Sequence, residues 1–311
     1  MRQNTMKSSF LLVLAAFIWG VAFVAQSVGM DYVGPFTFIG ARYLIGGLVL
    51  IPCIAFLKKL GYGDDGNKSE TQKKEEFRIG VKGGIFCGLA LFISSSLQQI
   101  GIMYTTVGKA GFITALYIVI VPILGIFMKK KVSWTIWISV AVAVIGMYLL
   151  CITDGFSIGI GDIYVFLCAI GFSFHILVID HFSPKADGVL ISCVQFFVAG
   201  ILGTIVAFAV ETPDLKSLCA AWAPVLYAGI LSSGAGYTLQ IVGQKNMNPV
   251  VASLLLSLES VFSLIAGWVL LGQRLSVKEQ FGCLLVFCAI ILAQIPAPKK
   301  KKCYCTWVGI F

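Results

Sequence analysis

Long apolar runs broken by short polar punctuation dominate the chain. Windows of roughly 20 apolar residues, the length a helix needs to cross a bilayer, recur at Ser9–Val28, Phe36–Phe56, Ile79–Ile100, Gly108–Met128, Trp134–Cys151, Ile160–Ile179, Gly188–Val210, Trp222–Val242, Val250–Leu271 and Gln280–Ile295. The pattern predicts an all-α polytopic membrane protein with ten transmembrane helices. Two spans carry polar interruptions: Ser94-Ser95-Ser96 with Gln98-Gln99 in the third, and Ser232-Ser233 among glycines in the eighth. Such residues are tolerated where a span faces protein or a cavity rather than lipid. Connections are short except Lys58 to Arg78, whose glycines and mixed charges read as a surface loop with some disorder.

Composition agrees with the pattern. Of 311 residues, 59% are hydrophobic and 12% charged, against about 25% charged in soluble domains. Disorder, a nucleic-acid-binding domain and an ordinary soluble enzyme are excluded. The net charge of +9 gains its meaning from its distribution. With the N-terminus inside, the cytoplasmic segments hold Arg2, Lys7, the seven bases from Lys58 to Lys82, Lys129–Lys131, Lys185, Lys245 and Lys299–Lys302, eighteen of the 23 basic residues. Lys109, Lys216, Arg274 and Lys278 fall outside, and Arg42 lies within a span. This positive-inside bias places both termini in the cytoplasm. Residues 297–311 then form a basic cytoplasmic tail, an anchor on an anionic leaflet rather than a nucleic-acid contact. The first run has no Ala-x-Ala site and reads as a retained helix, not a signal peptide. Cys53, Cys87, Cys168, Cys193, Cys283 and Cys288 lie in apolar runs and are expected as small buried hydrophobes.

The two halves resemble each other. Lys109–Ser133 aligns without gaps on Ala252–Ser276, each a span ending in a polar turn and a serine. A second register pairs Trp19-Gly20 with Phe172-Ser173 and Arg42 with Gln195. Five spans is an odd number, so sequential repeats enter the membrane in opposite senses. The Lys129–Lys131 turn then lies inside and the Gln273-Arg274 turn outside. Inverted repeats allow a central site to open alternately to either side.

The polar residues inside the spans are few. Glu259 is the acid deepest in an apolar run; it is either a proton-coupling or cation-binding group, or a packing partner of Ser257 or Ser263. Arg42 lies about 9 Å along its helix from Phe36, open to a binding or gating role or to snorkelling and a structural salt bridge. Lys109 starts the fourth span beside Gly108 and Gly111. Gln98, Gln99, Gln195 and Gln240 line a polar cavity or bridge helices. His175 carries protons or packs. Trp19, Tyr104, Tyr117, Tyr237 and Trp268 line a pathway or form an interface belt. Pro122 is expected to kink the fourth span. No Walker motif, Gly-x-Ser-x-Gly elbow, His-Glu-x-x-His or Cys-x-x-Cys occurs; Asp180, His181 and Asp187 are a weak case for a membrane enzyme. Neither the two histidines nor Cys303 and Cys305 have metal-site spacing.

Four segments carry a family resemblance: Leu14–Gly20 (LAAFIWG), Phe38–Gly46 (FIGARYLIG), Tyr104–Pro122 (YTTVGKAGFITALYIVIVP) and Pro249–Ser276 (PVVASLLLSLESVFSLIAGWVLLGQRLS). In this order and spacing, from about Ser8 to Pro296, they resemble the drug/metabolite transporter superfamily, specifically its EamA-type ten-span family. The resemblance implies two inverted five-span repeats, residues 8–152 and 159–296, enclosing a central cavity. It also implies a secondary transporter exporting small polar metabolites such as amino acids by alternating access in a bacterial inner membrane. Proton coupling through Glu259 is a narrower expectation. Carried over residue by residue, it points to Trp19, Arg42, Lys109, Tyr117 and Glu259; Gln99, His175, Gln195 and Gln240 join them from the reading of the spans. No cofactor is expected. The partners expected are a small-molecule substrate and the lipid bilayer, with no nucleic acid and a homodimer left open. The sequence departs from the family pattern at Gly272-Gln273, where Gly-Glu is frequent, at Lys130, where the fourth span ends, and at Glu259-Ser260, where Glu-Pro is common. A non-transporting scaffold or lipid-binding protein is the alternative; it would pair its polar groups tightly across helices and leave no water-accessible path.

Overall fold

A computed structural model describes residues 2–59, 69–105, 107–127, 133–151, 159–245, 247–271 and 276–294. The regular elements among them are all helical: α1 (Arg2–Gly29), α2 (Pro35–Lys59), α3 (Glu70–Ile102), α4 (Val107–Ala115), α5 (Tyr117–Phe127), α6 (Trp134–Cys151), α7 (Ile160–Phe182) and α8 (Gly188–Val210). After them come α9 (Leu215–Ala220), α10 (Trp222–Leu226), a π-helical stretch Tyr227–Tyr237, α11 (Thr238–Gln244), α12 (Pro249–Leu256), α13 (Leu258–Leu271) and α14 (Val277–Gln294).

All ten apolar runs are helical. The fourth span is α4 with α5, the eighth runs from α10 through the π stretch to α11, and the ninth is α12 with α13. Eight spans are long and apolar enough to cross a membrane, while α6 and α14 hold the shorter apolar helices Trp134–Gly146 and Gln280–Leu292. The outer surface of the bundle is apolar, with Phe127, Phe208 and Val269 among many large exposed side chains. Such a surface is at home against acyl chains and a liability in water.

Packing between the halves repeats. α2 lies on α8 and α6 on α14. α3 packs on α7 as α1 packs on the eighth span, and α3 meets α8 as α2 meets the π stretch. α7 touches α4 and α5 as α1 touches α13 and α12. Exchanging spans one to five with six to ten maps these contacts onto each other, which is the arrangement of two inverted five-helix repeats. Close approach relies on small residues: a Cβ on Gly20 would stand 2.4 Å from the Cβ of Phe262 and 2.8 Å from its backbone, so only glycine lets α1 cross α13 here.

Three features differ from expectation. α3 begins at Glu70, within the segment read as loop, because Ser69 and Gln72 form a capping box: Gln72 N donates to Ser69 Oγ at 3.2 Å and Ser69 N to Gln72 Oε1 at 2.9 Å. Local capping chemistry starts this helix well before the apolar run does. The fourth span is interrupted between Ala115 and Tyr117, not at Pro122, which lies inside α5. The ninth span, which has no comparable proline, is interrupted as well, at Ser257. Of the cysteines expected to be buried, Cys87, Cys168 and Cys193 are, but Cys53 and Cys288 are exposed. Residues 60–68 of the long loop, the Lys129–Lys131 and Gln273-Arg274 turns, the Cys283 side chain and the basic tail lie outside the described residues.

Candidate functional site

Residues spaced three and four apart share a helix face, and several such faces converge at the centre of the bundle. Trp19, Phe23 and Gln26 come from α1, and Phe172, His175 and Ile176 from α7. Arg42 (α2), Gln98 (α3), Thr114 (α4), Ser232 and Tyr237 (π stretch) and Gln240 (α11) face them. The two broken spans complete the wall with Tyr117, the first residue of α5, and with Leu256 and Glu259 on either side of the break at Ser257. Together they enclose about 30 Å³. A water molecule needs roughly 10–15 Å³ of such space, so the walls are drawn in around room for a water or two.

Glu259 is 4% exposed and accepts a hydrogen bond from the Tyr117 hydroxyl at 3.0 Å, a contact between the two halves. The serines around it are otherwise engaged. Ser253, Ser257, Ser260 and Ser263 each donate to the carbonyl three residues back, at 2.9, 2.7, 2.7 and 2.8 Å. Such back-bonding bends a helix and accompanies the break at Ser257. The expectation of Ser257 or Ser263 as packing partner of Glu259 is therefore replaced by Tyr117.

Arg42 does not snorkel, and among the described residues it forms no salt bridge. It is 2% exposed, donates from Nη1 to Gln26 Oε1 at 2.8 Å and from Nη2 to the Tyr43 hydroxyl at 3.0 Å, and leaves Nε buried without a partner. Its guanidinium carbon lies 4.6 Å from the Tyr43 ring centroid and 5.8 Å from that of Phe38. The packing of α2 against α8 and the π stretch keeps the Arg42 side chain inside the bundle.

Aromatic rings frame the cavity. The Tyr237 ring is 4.6 Å from Trp19, 5.9 Å from His175 and 5.9 Å from Phe196. Trp19 Nε1 donates to the Ser232 carbonyl, in the π-helical stretch, at 3.1 Å. His175 Nε2 is 3.0 Å from Gln195 Oε1, and its Nδ1 is buried without a partner. Tyr104 and Trp268, in contrast, are exposed on the outside.

Of the nine residues singled out from the sequence, Trp19, Arg42, Tyr117, His175, Gln240 and Glu259 line the cavity and three do not. Gln99 bridges α3 to α1 through its Nε2 to the Gln26 carbonyl at 3.3 Å, and its neighbour Gln98 faces the cavity instead. Gln195 stands behind His175. Lys109 is at the end of the bundle, where its Nζ is 3.1 Å from Asp162 Oδ2. Asp162 also accepts from Thr105 Oγ1 at 2.6 Å and from Gly159 N at 2.9 Å, the latter capping α7. Glu211 makes a second polar clamp between the halves near the same end, accepting from Phe36 N (2.8 Å), Thr37 N (2.9 Å) and Thr37 Oγ1 (2.5 Å) at the start of α2.

Gln26, Thr114, Asp162 and Glu211 escaped the sequence reading. For Gln26 a signal existed, since it lies two helical turns after Trp19. Asp162 and Glu211 sit at helix ends, where an acid is unremarkable until its distant partner is known. Asp187, one of the weak enzyme candidates, caps α8 by accepting from Val189 N at 2.7 Å.

Residues 6–152 and 159–294 each match the EamA-like transporter family. An uncharacterized transporter of Archaeoglobus fulgidus is 29% identical over 91% of this chain and 84% of its own length. The uncharacterized transporters YwfM and YoaV of Bacillus subtilis are 24% and 19% identical, over 94% and 93% of this chain and 95% and 97% of theirs. A solved crystal structure shares the fold with a TM-score of 0.71 at 17% identity, covering 95% of this chain and 98% of the other.

Proposed function

The chain belongs to the EamA-like transporter family and is a multi-pass membrane transporter, and from that premise we propose a secondary transporter that exports small polar metabolites, amino acids among them, by alternating access. The observation that carries this reading is the central polar cavity, walled by both halves and holding Arg42 and Glu259 within an otherwise apolar bundle. Ionisable side chains at such depth are costly, and where they occur they mark substrate or ion pathways.

The cavity is closed down, so passage requires the halves to rearrange. Among the polar contacts that join them in the described residues are Tyr117 with Glu259 and Trp19 with the Ser232 carbonyl at the centre, and Lys109 with Asp162 and Glu211 with the start of α2 toward one end. The distribution of basic residues supports placing that end outside, with both termini in the cytoplasm. The two clamps then hold the outer side shut, and opening them exposes the cavity outward. Glu259 is the group that takes and releases a proton in step with this movement, with Tyr117 as its reporter on the opposite half.

Purified protein in liposomes, given amino acids and an imposed pH gradient, tests the proposal. Gradient-driven flux is expected from wild type, and its absence across the panel counts against transport of this class. A scaffold would leave no polar atom unpaired at the centre; the partnerless Arg42 Nε, His175 Nδ1 and Gln240 Oε1 favour transport over that alternative.

A further inference from the structure

Arg42 presents a recognition edge that the protein itself leaves unused. A guanidinium has five N–H donors in a planar fork. Gln26 takes one from Nη1 and Tyr43 one from Nη2, whereas Nε is buried and partnerless. The side chain lies in the cavity wall, and among the described residues no carboxylate bonds to it. Tyr43 and Phe38 approach as rings; they stabilise the cation but neutralise nothing. A desolvated cation held only by dipoles and rings is poorly compensated, and a hydrogen-bonded anion is what its geometry lacks.

The rest of the wall narrows the chemistry. Glu259 is on the same cavity but is engaged by Tyr117. Gln240 Oε1 is a buried acceptor without a donor, and His175 Nδ1 is a buried polar atom without a partner. An occupant that completes Arg42 and Gln240 must carry an anion for the first and an N–H or O–H for the second. Inorganic chloride supplies the first and not the second.

We propose that Arg42 is the docking residue for a carboxylate of the transported molecule, received side-on by Nε and one Nη as a bidentate pair. The substrates are thus carboxylates bearing a hydroxyl or amino group, and amides and simple amines are excluded. This rests on the transport reading above and fixes which end of the substrate the protein grips.

Inside-out vesicles containing the protein are offered a mixture of the common amino acids, lactate, malate, amino-acid amides, ethanolamine and putrescine, and uptake is read by mass spectrometry. Every compound taken up is expected to carry a carboxylate. The R42Q variant should lose affinity by roughly ten- to a hundredfold, the worth of a charged hydrogen-bonded pair, as a rise in KM; R42K, which keeps the charge but not the fork, should lie between. Should R42Q fail to reach the membrane, wild type decides the matter by competition: the acid inhibits and its amide does not. Uptake of an amide or amine at the rate of its acid, an unchanged KM in R42Q, or equal inhibition by chloride or inorganic phosphate alone overturns the assignment and leaves transport standing. No uptake of any compound by wild type overturns the transport reading, and this inference with it.

Discussion

Removing the Lys109 ammonium should open the end of the bundle at which it lies. The pair joins α4 of one half to α7 of the other, with side chains 30% and 10% exposed. A fully exposed pair contributes about 0.2–1 kcal/mol and a hydrogen bond to a charged group about 1.5–3 kcal/mol. For this half-screened position about 1 kcal/mol is reasonable, roughly a fivefold shift in a two-state equilibrium. In K109Q the state open at this end should rise by that factor. D162N removes more, because Asp162 also accepts from Thr105 and caps α7 through Gly159. Loss of such a cap adds about 0.5–2 kcal/mol, so D162N should shift the equilibrium further and lower thermal stability as well. The double variant should match D162N rather than sum the two, since the bridge is lost once. The assay is the rate at which a membrane-impermeant maleimide labels Thr114→Cys, on the cavity wall, in a background without other cysteines. Wild-type labelling in K109Q alongside faster labelling in D162N would mean that the aspartate acts only as a cap, and the clamp would be refuted.

Three other outcomes test the remaining assignments. E259Q should keep substrate counterflow and lose its response to an imposed pH gradient; an unaltered gradient response removes Glu259 from coupling. E211Q weakens the carboxylate that receives three hydrogen bonds at the start of α2, and a loss of about 1–2 kcal/mol should lower the melting temperature of the detergent-solubilised protein, while an unchanged melt would show that water replaces it. G20A places a methyl carbon 2.4 Å from the Phe262 Cβ, and overpacking of this kind costs about 1–3 kcal/mol; unchanged size-exclusion behaviour and melting would show that α1 and α13 slide apart freely.

Span number and approximate ends were legible because an apolar run long enough to cross a bilayer is a property of the chain read in one dimension. Depth around the helix axis is not. Gln98 and Gln99 differ by about 100° of rotation, and hydropathy cannot choose between them; the fold turns Gln98 to the cavity and Gln99 to the α1 backbone. Arg42 illustrates the same gap. Its distance from the span end is compatible with snorkelling, and only the packing of α2 against α8 and the π stretch closes that route. The clamps were hidden for a different reason: Lys109 and Asp162 are 53 positions apart, and Phe36 and Glu211 are 175 apart. What pairs them is the docking of one half on the other, which no local pattern encodes. Gln26 was readable, since its spacing from Trp19 and Phe23 puts all three on one face of α1.

The two halves share a packing scheme but not their charges, and the site depends on that difference. In the aligned registers Arg42 corresponds to Gln195 and Glu259 to Leu116. Gln195 stands behind His175, and Leu116 sits at the interruption between α4 and α5. Under the alternating-access proposal, exchanging the conformations of the halves would interchange which end of the bundle is closed without creating a second cation or a second acid. A single charged site served by two exits is what alternating access requires, whereas a fully symmetric polar set would give two sites competing for one substrate. The breaks in the fourth and ninth spans fit the same scheme. They fall near equivalent levels of the two halves, yet one delivers a tyrosine and the other its carboxylate acceptor. The contact they form joins the halves at the centre, so in the proposed mechanism the state of one carboxylate would be linked to the movement of the backbone on either side of it.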